Sequence, residues 1–522
     1  MLSKKTLIPI FILFGIYCSF IIGISYDEFF HIENAKKRLK YLFSLGIYDY
    51  SSVLHLKYYP GLYDTLSSLI VSAFPKNYEN EFHHVLNFLV GISGLFALKK
   101  FVKILFSKKS SDIFFILCLF SPLYFGHLGI NPKDTIIASA NFWILYYVFK
   151  YLTTNSDISR SSISTKLGLL IGLGAGVRIM FLGTLIPIII IIFLEIFVFK
   201  KIINKINLKK IMIDFIKILF ISYFLVIICW PDVHQNIFLN PFNLFLQSLK
   251  DTSQGAQVSY FGGFFYETLN TPWFYIFFNF FYKIPVFYLL SFFLSFVYFF
   301  NMKNHFNLYN KNYSYFYFIS FSLLIIPILI AILLKLKIHD GIRYFIYLIP
   351  LFNIIPALFL NYLISNKNIL VNKLVLLFLS PFLIYFFFSF AMITPYQYSY
   401  LNLFNKYFMK ANSFENDYWG ASLKELIKNF AKIKDLKHNP KIAVCGVNIH
   451  VVEFYLKKYG IKNYVKTDMH KDFDYAVLIN RAISDHDNKG VKNQTCFQKF
   501  NSKENLYILS KNSIVLSKII KH

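Results

Sequence analysis

Two carboxylates, Asp27 and Glu28, stand side by side in "YDEFFH" (26–31), with the imidazole of His31 one helical turn further on. They follow at once on an apolar run over 6–25. A carboxylate at a membrane edge can take a proton from an incoming hydroxyl, so the pair is a candidate base. Other chemistry-bearing clusters also sit where apolar runs end. "FGHLGINPKDT" (125–135) carries His127, Asn131, Lys133 and Asp134; "KIHDGIR" (337–343) carries Asp340 and Arg343; "ENDYWG" (415–420) carries Asp417, Tyr418 and Trp419. Arg178 lies inside "GLGAGVRIM" (172–180), amid apolar sequence, where a guanidinium is costly unless it meets a polar cavity or a partner. Arg178, Arg343 and Lys133 are suited to hold a phosphate, Arg as a bidentate fork and Lys as a point charge. Together these groups suit transfer of a sugar from a polyprenyl phosphate to a hydroxyl. Asp27 or Glu28 would activate the acceptor, and the cations would stabilise the departing phosphate. Phosphate leaves readily, so no general acid is required, and attack opposite the leaving group inverts the anomeric centre.

Each cluster also has a purely structural reading. Asp27 and Glu28 suit the N-terminus of an interfacial helix. "NPKD" suits a turn whose Asp134 caps the next helix, and "DYWG" an aromatic anchor with a glycine turn. His127 suits an interfacial side chain. Asp27, Glu28, His31 and His127 are also of metal-ligand type, so a divalent cation is an open alternative, but no spacing fixes one.

What must position these residues is a hydrophobic chain. Of 522 residues, 56% are hydrophobic, 20% aromatic and 16% charged, and the mean hydropathy is +0.50. Many apolar runs reach the roughly eighteen residues needed to cross a bilayer, which predicts an α-helical polytopic membrane protein. The formal charge of +27 comes mostly from Lys in short loops between those runs. There it sets topology and meets anionic lipid heads; it does not point to nucleic acid.

Apolar runs fall near 6–25, 82–98, 112–128, 135–151, 167–199, 211–230, 273–299, 315–334, 343–362 and 372–393. Cytoplasmic loops are enriched in Lys and Arg. With Lys4 and Lys5 inside, "KKFVKILFSKK" (99–109), "KKIINKINLKK" (200–210) and "SNKNILVNK" (365–373) are all inside if 167–199 is a hairpin with Arg178 at its tip. The first arm, about eleven residues, is too short to span and is expected to be partly re-entrant. This predicts about eleven membrane segments. The first span reads as uncleaved, being longer than a signal-peptide core, and nearly every acid-, His- or Arg-bearing cluster falls on the outer face.

From 394 onward the composition changes. The expected division is a transmembrane catalytic domain over 1–393, with a first outer loop at 26–81, and an outer C-terminal region over 394–522. In the latter, "KIAVCGV" (441–447) and "DYAVLIN" (474–480) read as buried strands, and "HVVEFYLKKYG" (450–460) as a helix ending at a glycine cap. "ENLYILS" and "SIVLSKII" read as further strands of a small α/β domain. Cys445 and Cys496 can pair only in an oxidising compartment. Cys18, Cys118 and Cys229 read as packing residues.

The first span followed by an outer Asp-Glu pair resembles the GT-C superfamily of polyprenyl-phosphate-sugar glycosyltransferases, which includes protein O-mannosyltransferases and the aminoarabinose transferases of lipid A. In order, "YDEFFH", "YYPGLYD", "FGHLGINPKDT", "GVRI", "HDGIRYF", "TPYQYSYLN" and "DYWGASLKE" resemble a set of bacterial GT-C-like membrane proteins, over about residues 20–430. The resemblance implies an amphipathic first outer loop and catalysis on the outer face of the cytoplasmic membrane, with the catalytic acid at Asp27 and Glu28 beside it. It also implies a polyprenyl-phosphate-linked donor and a glycan, lipid or protein acceptor. Where such relatives carry Arg-His before the second span, this chain has His83-His84; where they carry an aromatic before Asp-Gly, it has His339. Some GT-C members use a divalent cation and others do not. A transporter or flippase of lipid-linked saccharides is the competing reading. It would place ionisable groups near the midplane, often in repeated halves, whereas here the acids gather at one surface and no repeat is visible.

Overall fold

An apolar chain in a bilayer must satisfy its backbone internally, which leaves helices as the economical solution. The computed structural model describes residues 4–202, 208–251, 255–433, 436–483 and 493–522, and it is mostly helical. Helix α1 (Lys4–Ile21) is followed by α2 (Tyr26–Phe43), α3 (Leu62–Val71), α4 (Glu79–Leu105), α5 (Lys108–Leu119), α6 (Pro122–Ile130), α7 (Asp134–Thr153) and α8 (Asp157–Val177). Then come α9 (Phe181–Thr184), α10 (Ile186–Leu194) and α11 (Leu208–Ile228).

Among the described residues, six helices are long and apolar enough to cross a membrane: Lys76–Leu105, Phe181–Phe199, Lys209–Ile228, Tyr313–Leu333, Leu348–Ser365 and Leu370–Met392. Three bent pairs raise the number to nine if each is one span: α1 with α2 (86°), α5 with α6 (63°), and Tyr275–Lys283 with Val286–Val297 (114°). The other two of the expected eleven segments are α7 and the arm before Arg178, which are not among these spans. Residues 203–207, within the basic loop expected inside, lie outside the described residues.

The arm before Arg178 corrects the expectation of a short re-entrant piece. Helix α8 has 21 residues and begins at Asp157, well before the apolar run. Its polar first turns are helical because α11 answers them. Ser164 Oγ donates to Asp214 Oδ1 at 2.9 Å, and Lys217 Nζ donates to the Ser161 carbonyl at 2.9 Å. Further along, Gly168 and Gly172 let α11 approach so closely that an added Cβ would lie 2.9 Å from Ile221 Cβ and Leu225 Cβ respectively. Such small residues are how helices pack in lipid. The arms around Arg178 also diverge, α8 packing on α7 and α11, and α10 on Tyr313–Leu333.

The bend between α1 and α2 is built by distant chain. Gly23 N–H donates to the Ala421 carbonyl (2.9 Å) and Tyr26 N–H to the Trp419 carbonyl (2.9 Å). Ile24 N–H donates to Tyr455 Oη at 2.8 Å. Beyond the bend α2 buries Glu28, His31, Ile32, Ala35 and Arg38, a stripe at helical spacing.

A hairpin, β1 (Val258–Phe261) and β2 (Phe264–Glu267), interrupts the helical part. The C-terminal sheet contains β3 (Lys441–Cys445), β4 (Val465–Lys466) and β5 (Tyr475–Ile479). A small antiparallel pair, β6 (Ala482–Ile483) and β7 (Gln494–Thr495), precedes β8 (Glu504–Lys511) and β9 (Ile514–Lys521). The sheet order is β4-β3-β5-β9-β8, with β3 parallel to both β4 and β5 and β9 antiparallel to both β5 and β8. The expected strands and the expected helix, Ile449–Lys458, are all present. Gly460, at φ +92°, supplies the left-handed cap. Cys445 and Cys496 form a disulfide with a Cα–Cα distance of 5.8 Å, while Cys18, Cys118 and Cys229 are buried and free. The core of this domain includes Ile24 from the bend together with Leu426, Val452, Leu456 and Ile519.

Gly126 in α6 marks the tightest joint between bundle and tail. A Cβ there would lie 2.0 Å from the Tyr398 backbone nitrogen and 2.7 Å from its Cα. Backbone cannot yield as a side chain can, so Gly126→Ala is expected to destabilise the fold at or above the roughly 1–3 kcal/mol typical of overpacking. Gly183→Ala, with nothing within 4 Å, is the control. Thermal melting in detergent tests this; equal melting temperatures for the two variants would refute the joint.

Candidate functional site

The site grows from the first turn of α2. Asp27 is two residues beyond the helix N-cap, Ser25, whose hydroxyl donates to the Ile130 carbonyl at 3.1 Å. That bond ties the bend to the end of α6, just before the loop carrying Lys133. Lys133 Nζ meets Asp27 Oδ2 at 2.7 Å, and Arg343 Nη1 meets the same oxygen at 3.2 Å. The Asp27 side chain keeps 28% exposure, and among the described residues its Oδ1 makes no hydrogen bond. Burial would raise this carboxyl, but Lys133 and Arg343 outweigh burial and hold it well below the usual carboxylate range.

Each cation is itself placed by neighbours. Asn131 Oδ1 accepts from the backbone N–H of Lys133 (3.2 Å) and Asp134 (2.9 Å), while Asn131 Nδ2 donates to Asp134 Oδ2 (3.0 Å). "NPKD" is thus a closed turn that presents Lys133. Arg343 pairs with Asp340 Oδ2 (3.2 Å) and donates to His339 Nε2 and the Tyr344 hydroxyl, both at 3.0 Å. Burial pushes the His339 imidazole down to about 3, despite the opposing pull of Asp340, so the ring is a neutral acceptor. Trp419 lies under Arg343, its ring centroid 5.2 Å from the guanidinium carbon.

Arg178 completes the basic rim without joining the ion pairs. Its guanidinium carbon is 5.6 Å from the ring centroids of both Tyr59 and Tyr344, and Lys133 Nζ stands 5.5 Å from the Tyr59 ring. Among the described residues Arg178 has no carboxylate partner. It lines a small solvent-open recess with Tyr58, Tyr59, Ile179, Met180, Phe245 and Ser248.

Glu28 turns the other way. Its Oε2 accepts from Ser25 N–H (3.1 Å) and meets His84 Nε2 (3.0 Å), with the carboxylate 1% exposed. His31 Nδ1 contacts Asp64 Oδ2 at 2.6 Å. His127 Nε2 contacts the Tyr418 hydroxyl at 2.9 Å, and Asp417 accepts from Ala421 N–H (3.0 Å) and from the hydroxyls of Ser422 and Tyr398. The structure therefore brings Asp27, Lys133, Arg343, Asp340 and Trp419 into one contact set with Arg178 beside it. Asn131 and Asp134 shape the loop, and Glu28, His31, His127, Asp417 and Tyr418 form buried supports. Among the described residues no three His, Cys, Asp or Glu side chains converge to hold a metal. Asp27, Glu28, His31 and His127 each face a different partner, so no step is routed through a cation here.

Sequence reasoning left several participants unassigned. Tyr59 and Asp64 lie in "YYPGLYD", quoted for its resemblance only, and Tyr344 adjoins Arg343. His84, which departs from the family pattern, is the partner of Glu28. Arg481, which pairs with Asp340 at 3.2 Å, has no signal in the sequence.

No protein-family description matches the chain, and no curated protein does. Among solved structures, ArnT from Cupriavidus metallidurans in the apo state aligns over 99% of this chain and 98% of its own, at 11% identity and a TM-score of 0.51. ArnT from the same organism bound to undecaprenyl phosphate aligns over the same shares at 11% identity and a TM-score of 0.48. The apo match shows that this chain and that ArnT share an overall fold.

The ion pairs predict a pH signature. Because the folded Asp27 value is depressed, the pairing contributes stability above the ordinary carboxylate value and loses it as pH falls through the folded value. Asp27→Asn leaves Lys133 without its carboxylate and Arg343 with Asp340 alone. It is expected to cost about 1–3 kcal/mol, below the figure for a fully buried pair because the site is part-exposed. Melting curves across pH should show a constant gap from wild type between about pH 8 and 5, narrowing only below about pH 4. A gap that closes near pH 6 would mean the cations do not depress this carboxyl.

Proposed function

We propose that the protein is a glycosyltransferase that moves a sugar from a polyprenyl-phosphate donor to a hydroxyl on a glycan, lipid or protein, with inversion, at the outer face of a bacterial cytoplasmic membrane. The observation that carries this reading is the state of Asp27: Oδ2 is held by Lys133 and Arg343, and Oδ1 is open. A donor phosphate competes for both cations and for Arg178. As they turn to the phosphate, Asp27 loses the charges that depress it and becomes a stronger base. The acceptor hydroxyl then attacks the anomeric carbon and its proton passes to Asp27 Oδ1. The bond from that carbon to the phosphate oxygen breaks, and its electron pair leaves on the polyprenyl phosphate beside Lys133, Arg343 and Arg178.

The shared fold with ArnT supports a membrane enzyme of this class. The Cys445–Cys496 disulfide supports an oxidising compartment for the C-terminal domain. About eleven membrane segments, with the N-terminus inside and the C-terminus outside, complete the proposal.

Two experiments test it. Transfer from a panel of undecaprenyl-phosphate monosaccharides, followed with purified protein in nanodiscs, is expected to fall about 10²-fold or more in Asp27→Asn. Arg178→Lys, which keeps the charge and loses the fork, should recover only part of the turnover lost in Arg178→Ala. Normal turnover by Asp27→Asn would end the case for this base, and full rescue by Lys would make Arg178 a structural cation. For orientation, Cys at Gln235 or Lys462 should react with an impermeant maleimide in intact spheroplasts while Cys at Lys367 should not. Labelling at 367 but not at 235 would invert the topology.

A further inference from the structure

The C-terminal domain reaches into the basic clamp through one side chain. Arg481 Nη2 lies 3.2 Å from Asp340 Oδ1, while Arg343 Nη2 lies 3.2 Å from Asp340 Oδ2. Asp340 is thus shared between two arginines, one oxygen to each, and is itself buried. Its backbone is left-handed at φ +57°, a conformation open to Asp more readily than to most side chains but still at a cost. Arg481 is equally constrained. Its Nη1 donates to the Tyr418 carbonyl at 2.6 Å, and its guanidinium carbon lies 5.6 Å from the Tyr26 ring, next to Asp27. Its own carbonyl accepts from Cys496 N–H at 3.0 Å, and Cys496 is in the disulfide with Cys445. At the adjoining Gly446 a Cβ would sit tightly, 3.0 Å from Arg481 Cβ and 3.2 Å from Cys496 Sγ. A continuous chain of opposite charges runs Arg481–Asp340–Arg343–Asp27.

We propose that Arg481 is a positioning residue of the clamp: by holding Asp340 it orients Arg343 toward the donor phosphate, so the phosphate site is complete only with the C-terminal domain docked. An Asp340 released from Arg481 has both oxygens free for Arg343 and draws that guanidinium away from Asp27. Arg481 touches neither Asp27 nor the recess around Arg178, so it acts through Arg343. This inference rests on the polyprenyl-phosphate reading of the site.

The test titrates the full-length protein in detergent with undecaprenyl phosphate and, separately, with undecaprenol, using native mass spectrometry. Wild type is compared with Arg481→Ala, Arg343→Ala and the double variant. Arg481→Gln replaces Arg481→Ala should the latter fail to fold. Loss of one indirect ion pair predicts about tenfold weaker binding of undecaprenyl phosphate, no change for undecaprenol, and a double variant little weaker than Arg343→Ala alone. Unchanged phosphate-lipid binding, equal weakening of both lipids, or fully additive losses would each overturn the proposal. Hydrogen exchange over 339–345 is measured on the same samples without lipid, and Arg481→Ala should raise it. Should wild type bind undecaprenyl phosphate no better than undecaprenol, the donor reading fails. The exchange then decides whether Arg481 holds the Asp340–Arg343 loop, and exchange equal to wild type would sink that too.

Discussion

One carboxylate oxygen, Asp27 Oδ2, meets two cations that come from separate parts of the chain, Lys133 from the turn after α6 and Arg343 from the loop after Tyr313–Leu333. Three charges removed from most of their water are tolerable only when each is paired. The surrounding structure reads as the means of keeping them so. The turn built on Asn131 presents Lys133, and His339, kept neutral, accepts from Arg343 without adding charge. Trp419 supplies a ring face to the guanidinium. The cluster is therefore self-neutralised, each cation meeting a carboxylate of the chain itself.

The bend that carries Asp27 does not rest on its own helices alone. Three of its backbone donors, at Gly23, Ile24 and Tyr26, go to Ala421, Tyr455 and Trp419. His450 stacks on Phe29 with ring centroids 5.7 Å apart, and Ile24 enters the core of the C-terminal domain. Backbone polar groups near a membrane edge need partners, and here the tail provides them. The C-terminal domain is thus part of the architecture of the site, from the bend through Arg481 to Asp340.

Inside the bundle the same rule is met in another way. The polar turns of α8 are paid for by Asp214 and Lys217 of α11, and Asn361 Nδ2 donates to Ser110 Oγ at 2.8 Å. Polar groups in an apolar setting lose free energy unless they are bonded. These contacts explain why segments of modest hydropathy still stand as full helices in a bundle whose outer helices are almost wholly apolar.

The sequence by itself determined what depends on local composition and period. Hydropathy marked the spanning runs, alternation and a glycine cap marked β3, β5 and the helix Ile449–Lys458, and charges at the ends of apolar runs marked Asp27, Lys133, Arg178 and Arg343. Such features are legible because hydrophobic period and the cost of a charge in lipid act over a few residues. Only the tertiary structure decided the rest. It turned Glu28 away to His84 although Glu28 adjoins Asp27, because successive residues on a helix face different directions. It gave α8 its full length, because the partners of its polar face are on another helix. It brought Arg481 to Asp340 across the sheet of the C-terminal domain, because pairing of opposite charges from distant segments is set by where the cores dock and leaves no pattern in the linear chain.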